Sequence, residues 1–245
     1  MNYHNQLKHS FGNKINNDIQ IFQEKLNDNA KDIDALFGLA EIAKNAQQYK
    51  LSLEFLDECI KINNFSCKFI LHKILNHISL GELKTANHIV EEFIRKHSLF
   101  DFKSCKDIFV KLSQLSSNIL LDYKSTNKLI SLSIQYFPNY YRSYERLALN
   151  KMYLYGEFYE GRSILKRLIT NNKKVSLIES YLLSFLRDDP KKGLKELKKL
   201  KKQTDHKNFL KTIEYKFIST LYDKDKIIKF IDECSFINKE YEKIN

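Results

Sequence analysis

Residues 32–64 read DIDALFGLAEIAKNAQQYKLSLEFLDECIKINN. In the first half of this stretch Leu36, Leu39, Ala40 and Ala43 recur at the spacing of one helical face. In the second half Leu51, Leu53, Phe55, Leu56, Cys59 and Ile60 do the same. The polar break KNAQQY between them leaves room for one short turn. Two helices so closely joined fold back on each other as an antiparallel helical hairpin.

The plan recurs along the chain. CKFILHKILNHISL, a break at Gly81-Glu82 and LKTANHIVEEFIRK form a second pair over residues 67–96. Its register is fixed: Tyr49, Ser52, Leu56 and Cys59 stand 34 residues before Leu83, Ala86, Val90 and Phe93. A third pair covers 107–137, with its break near Leu121-Asp122, a second helix from about Lys124 to Tyr136, and Pro138 as a helix stop. Residues 101–106 read as an insertion or an early helix start. A fourth pair covers 141–170, and a fifth runs from about 174 to 202, turning through RDDPKK. The sixth covers about 207–236 and turns at YDKDK, with Leu197 to Ile231 and Leu200 to Cys234 again 34 residues apart. A period near 34 is the signature of a helical-hairpin solenoid; the rival architecture is a non-repeating helical bundle. The expected organisation is a polar N-terminal tail at 1–14, a capping helix at 15–32, the solenoid at 33–236 and a polar end at 237–245.

Bulk composition agrees with helices. Six glycines and two prolines in 245 residues are few for a chain of hairpins and tight β-turns. YLYGEFYEGRSILKRLI, residues 153–169, spends two of the glycines five residues apart. Gly156 is read as the turn between helices, and Gly161 as the small contact residue that lets those helices approach. Ser52, Ala86 and Gly193 are its counterparts elsewhere.

ALFGLAEIAKNAQQYKLSLEFLDECIKINN and SYERLALNKMYLYGEFYEGRSILKRLI resemble the tetratricopeptide repeat family. Leu36, Leu39, Ala40, Tyr49, Ser52 and Leu56 match its motif without a gap. Tyr144, Leu147, Ala148, Gly156, Phe158, Gly161 and Leu165 match with one extra residue in the hairpin. The third hairpin departs most, with Ser113 and Gln114 where a Leu-Gly pair belongs, and the chain has no tryptophan. The resemblance implies an all-α, right-handed superhelical solenoid of about six antiparallel helix hairpins. It also implies a non-catalytic scaffold or adaptor that holds a peptide, helix or partner protein on a concave face lined by first helices. Carried over, that face comprises Phe37, Glu41, Lys44 and Asn45, then Lys68, Leu71, Leu75 and Ile78, then Lys111, Arg142 and Glu145. Ile178, Leu182 and Phe185 extend it. The same residues could instead touch neighbouring helices in a tightly wound solenoid. Phe37 and Glu41 stand where one subgroup of the family begins its basic and amide clamp for acidic tails; Glu41 would repel a carboxylate, so that mode is not expected here.

The net charge is +11, and six of the 41 basic residues are Arg. Positive charge favours acidic partners, nucleic acid or anionic membranes. Scarcity of Arg weighs against sequence-reading of nucleic acid, because Arg is the bidentate reader of phosphate and base edges. The densest block is KKGLKELKKLKK. There Lys191, Lys192, Lys195, Lys198, Lys199, Lys201 and Lys202 surround the apolar stripe Leu194, Leu197 and Leu200. That block makes an RNA- or DNA-binding helical-repeat protein the alternative reading, beside an accessory subunit of an enzyme complex. Lys and Asn also share A/T-rich codons, a plainer source of the charge.

No metalloprotease HExxH, P-loop, dinucleotide fingerprint or nucleophile elbow occurs, so neither catalysis nor a cofactor is expected. His72, His77 and His88 share one hairpin but do not make a ligand set by spacing. Cys59, Cys67, Cys105 and Cys234 form no CxxC pair and read as reduced thiols. Without an apolar leader or membrane-length run, the expected location is cytoplasmic. Oligomeric state, monomer or homodimer, is open.

Overall fold

In the computed structural model the described residues are 13–100, 106–172, 174–186, 188–203 and 206–221. They hold twelve α-helices and no strand. The chain divides into two compact units, Met1–Tyr140 and Tyr141–Asn245.

Unit 1 contains α1 (Asn13–Asp28), α2 (Ile33–Asn45), α3 (Tyr49–Ile62), α4 (Cys67–Ser79), α5 (Leu83–Arg95), α6 (Lys106–Asn118) and α7 (Tyr123–Tyr136). Helix α1 packs on α2. The pairs α2/α3, α4/α5 and α6/α7 are hairpins, α3 and α4 join the first to the second, and α6 packs on α4. The core follows the register of the sequence. Leu36, Leu39, Ala43, Phe55, Leu56 and Cys59 close around Ile19 of α1. Ile74, Ala86, Val90 and Phe93 join Phe109, Leu112, Leu129 and Leu132. Asp32 and Asp122 cap α2 and α7, accepting from the amides of Ala35 at 2.8 Å and Ser125 at 3.0 Å. Each satisfies an amide that the first helical turn leaves without a partner.

The turns keep the same period. Residues with left-handed backbone are Gln47 (φ 61°), Gly81 (φ 76°) and Leu121 (φ 54°). The first interval is 34 residues and the second is six longer, in keeping with extra chain around 101–106. Helices α3 and α5 begin at Tyr49 and Leu83, also 34 apart. In the third hairpin the buried pair is Leu112 and Ser113, while Gln114 is exposed. The expected Ser113-Gln114 pair is therefore displaced by one residue, and this hairpin keeps its leucine at the seam.

Unit 2 contains α8 (Tyr141–Tyr155), α9 (Phe158–Asn171), α10 (Val175–Leu183), α11 (Pro190–Lys201) and α12 (Lys207–Leu221). Helices α8 and α9 form a hairpin, α9 packs on α10, and α10 and α11 both pack on α12. Leu165, Leu177, Ile178, Leu182, Phe185, Leu197, Ile213 and Phe217 make its core. Pro190 opens α11 and Asp189 caps it, as RDDPKK requires. The second helix expected in the sixth hairpin lies outside the described residues.

The two glycines of unit 2 do different work. Gly156 has φ +73° and open space around it, so it is there for the turn. Gly161 is buried in α9, where a Cβ would sit 2.7 Å from the Ala148 carbonyl and 2.3 Å from Met152 Cγ. In unit 1 the same seam is held by Ser52. Its hydroxyl donates to the Ala40 carbonyl at 2.7 Å and accepts from Asn76 Nδ2 at 2.7 Å. One buried hydroxyl thus links α2, α3 and α4.

Two substitutions separate these roles. Leu121→Gly relieves a left-handed leucine that is 65% exposed, and is expected to stabilise the protein by about 0.5–1 kcal/mol. Gly161→Ala overpacks the seam and is expected to cost about 1–2 kcal/mol despite alanine's better helix propensity. Urea unfolding midpoints of both variants measure the opposite signs.

Candidate functional site

The first-helix residues named from the sequence meet most closely around Phe37. Leucine and alanine at 36, 39, 40 and 43 fix which way α2 faces. The Phe37 ring then turns toward α4, where it packs 5.5 Å from the Phe69 ring and meets the His72 ring edge-on at 4.9 Å. Lys68, one turn before His72, places its ammonium 3.6 Å over the Phe37 ring. That cation–π contact holds a charge at the surface without neutralising it.

His72 is half-buried, and its pKa falls from the ordinary 6.5 to about 4. Burial is the main cause, followed by the positive charges of Lys44 on α2, Lys68 on α4 and Lys111 on α6. Each of three successive first helices thus carries one lysine whose charge acts on this imidazole. The ammonium groups of Lys44, Lys68 and Lys111 have no ion-pair partner among the described residues. Glu41 and Asn45 are exposed on the same helix as Lys44.

The expected apolar strip is mostly core. Phe37 and Leu71 are buried, and Leu75 and Ile78 are half-buried against the second core cluster. Only Leu75 and Ile78 keep apolar surface facing out. In unit 2, Ile178 and Leu182 of α10 and Phe185 just beyond it are fully or almost fully buried, so they are spent on packing rather than on an open face. Arg142 and Glu145 belong to unit 2. Arg142 Nε donates to Tyr141 Oη at 3.3 Å, and Lys174 lies 4.1 Å over the Tyr141 ring. Burial raises the Glu145 pKa, opposed by Arg142 and by a hydrogen bond from Ser180.

The lysine block divides as well. Lys191, Lys192, Lys195 and Lys198 are exposed on α11, whose inner side buries Gly193 and Leu197, and Lys202 is exposed at its C-cap. Lys199 pairs with Glu196 at 2.7 Å. Lys201 pairs with Glu214 of α12 and so leaves the outer face.

Two features were not singled out from the sequence. The sequence marks His72 only as one of three histidines that do not make a ligand set, although its place one residue after Leu71 on a first helix is a usable signal. Arg162 carries no such mark. Its guanidinium donates to Ser184 Oγ at 3.0 Å and to the Ser184 carbonyl at 2.6 Å, pairs with Asp188, and lies 4.1 Å over the Phe185 ring. It braces α9 against the end of α10. Among the described residues no three His, Cys, Asp or Glu side chains converge as metal ligands. Cys59 and Cys67 are buried, and burial pushes the Cys59 thiol up to about 11. No helix among the described residues is long and apolar enough to cross a membrane.

Neither a protein-family model nor a curated protein matches the sequence. Solved structures do match. A tetratricopeptide repeat protein from Parabacteroides merdae is 13% identical, with a TM-score of 0.57 over 87% of this chain and 90% of that one. YrrB, described as a tetratricopeptide repeat protein with an unusual peptide-binding site, is 11% identical over 85% of this chain and 96% of its own, with a TM-score of 0.49. MamA is 14% identical over 64% and 88%, also with a TM-score of 0.49. The fold is that of tetratricopeptide repeat proteins: antiparallel helix hairpins, repeated.

The His72 environment sets a pH dependence. Between about pH 6.5 and 4 the unfolded chain carries a proton on His72 that the folded chain does not, so this residue lowers stability progressively as pH falls through that window. His72→Gln is expected to flatten the pH dependence of the thermal midpoint there and leave it unchanged above pH 7. Differential scanning fluorimetry across pH 4–8 compares the two proteins.

Proposed function

We propose that this protein is a non-catalytic protein-binding scaffold, and that the first-helix side of unit 1 receives its partner. One observation carries the reading: Lys68 of α4 lies over the Phe37 ring beside His72, the charges of Lys44 on α2 and Lys111 on α6 also act on His72, and none of the three lysines has an ion-pair partner among the described residues. Folding gains nothing from three like charges gathered without counter-ions, whereas a partner supplying the opposite charge would. Leu75 and Ile78 offer apolar surface on the same helix as Lys68. An accessory subunit of an enzyme complex is one form such a scaffold takes.

A second reading rests on α11. Four exposed lysines along one helix and a fifth at its C-cap, with no ion-pair partner among the described residues, suit a phosphate backbone through charge alone, with no Arg fork to read bases.

Affinity capture from the native cell tests the first reading. A discrete protein partner is expected with the full chain. Leu75→Lys should abolish its capture, and Ser79→Arg, at an exposed position on α4, should weaken it without touching the core. Equal recovery by both variants would sink the reading. Binding of generic RNA at about 50 mM salt that falls steeply with added salt, and is removed by Lys195→Glu with Lys198→Glu, would favour the second.

A further inference from the structure

We propose that the tips of the three hairpins of unit 1 lie on an anionic lipid bilayer, their exposed apolar side chains entering the headgroup layer and their lysines meeting lipid phosphates. This goes beyond the scaffold reading and does not depend on which partner the first helices hold. It assigns the surface on which the scaffold sits.

The tips are the turns at 46–50, 80–84 and 119–124, where first helices end and second helices begin. They share one edge of the unit. Gln47, Tyr49 and Lys50 border a groove with Leu80 of the next tip, and α5 and α7, which start at the second and third tips, pack on each other. Charge at this edge runs against folding. Helices α3, α5 and α7 have no acidic residue in the first turn, and their second residues are the exposed Lys50, Lys84 and Lys124. A helix N-terminus favours anions, so each of these lysines opposes the dipole of its own helix. At the opposite ends of the hairpins α2 and α6 open with Asp34 and Asp107, and Lys68 of α4 is folded over the Phe37 ring. Pairing shows the same contrast. Lys61, Arg95 and Lys96 at those opposite ends pair with Glu58 and Glu92. Lys50, Lys84 and Lys124 have no ion-pair partner among the described residues. Of the carboxylates at the tips, Glu82 pairs with His77 at 2.6 Å, Asp122 is spent as the α7 cap, and Glu54 stays exposed one turn after Lys50.

The apolar residues of the edge are also out of place for folding. Leu83, Ile119, Leu121 and Tyr123 are exposed at the second and third tips. Leu121 holds left-handed backbone (φ 54°) where the second hairpin of unit 1 uses Gly81. A leucine both strained and unpacked contributes nothing to the core, and such strain points to a use outside the fold. These side chains stand singly on separate tips, between lysines, rather than lining one continuous groove. That arrangement suits a fluid interface, which needs no matching shape and is held by buried apolar area together with attraction to anionic headgroups. Tyrosine settles at headgroup depth with its hydroxyl in water, and lysine keeps its stem in the apolar layer while its ammonium reaches the phosphates. Lysine needs no fixed ligand plane for that contact.

The experiment is flotation of the full-length protein with vesicles of phosphatidylcholine alone, or with about 30% phosphatidylserine, at about 100 mM salt. Binding to the anionic vesicles is expected to be at least about tenfold stronger than to the neutral ones. Lys84→Gln with Lys124→Gln should weaken it at least about fivefold, and Leu121→Gly, which is expected to fold more stably, at least about threefold. Lys191→Gln with Lys195→Gln removes the same charge from α11 and should change it less than about twofold. Because the chain has no tryptophan, Leu121→Trp supplies a single reporter. Its emission should shift to the blue with anionic vesicles and be quenched by brominated lipid. Equal binding to both vesicle types, full binding by the tip variants, an equal loss from the α11 pair, or an unshifted reporter overturns the proposal. A blue shift that grows with protein concentration in the absence of lipid would place a second copy on the tips, and one produced by single-stranded RNA would place nucleic acid there; either result also overturns it. If the cellular partner is captured while the vesicles fail to bind, the scaffold reading stands and the lipid proposal falls.

Discussion

Two helices share a core only as far as their backbones can approach, and in this protein one seam position sets that approach. In α8/α9 it is Gly161 against the Ala148 carbonyl; in α2/α3 it is Ser52 against the Ala40 carbonyl. Once that contact is made, the helical period decides the rest. Leu36, Leu39 and Ala43 must face Phe55, Leu56 and Cys59. Lys44 and Glu41 are then carried away from the seam. The surface offered by the first helices is thus a by-product of where small residues sit on the second ones, and a shift of seam register would redistribute charge as well as core.

Much of this was legible in the sequence because a helical face is a one-dimensional pattern. The 34-residue offset from Tyr49 to Leu83 needs no structure to be seen, and both residues do begin helices. The turns were less legible. Gly81 and Gly156 announce left-handed backbone, whereas Gln47 and Leu121 adopt it with side chains that give no warning. Ser113 was misplaced by one position for a related reason: a buried serine and a surface serine are the same letter. Only the exposure of Gln114 separates them.

The site was named in pieces rather than as a constellation. Phe37, Lys44, Lys68 and Lys111 were each identifiable from position on a first helix. Their common focus on His72 depends on how α2, α4 and α6 lie side by side, which the sequence does not encode locally. Apolar residues were harder still. Leu75 and Ile178 occupy comparable places on first helices, yet one keeps surface and the other is fully buried. Apolar character at helical spacing cannot distinguish lining a groove from filling a core. Lys201 shows the same limit for charge, since its partner Glu214 belongs to the following helix.

The hydrogen bond from Asn76 to Ser52 has a dynamic consequence. Ser52 is sealed between its own hairpin and the next, and Asn76 is as fully buried. Peeling α4 from α3 would break that bond and also expose to water the apolar surface packed around it, including the Phe37–Phe69 contact, a loss larger than the bond's own net contribution. The first two hairpins therefore open as one cooperative block rather than fraying repeat by repeat. The stretch of chain that carries Phe37, Lys44, Lys68 and His72 lies wholly inside that block, so local breathing of a single repeat does not disperse them.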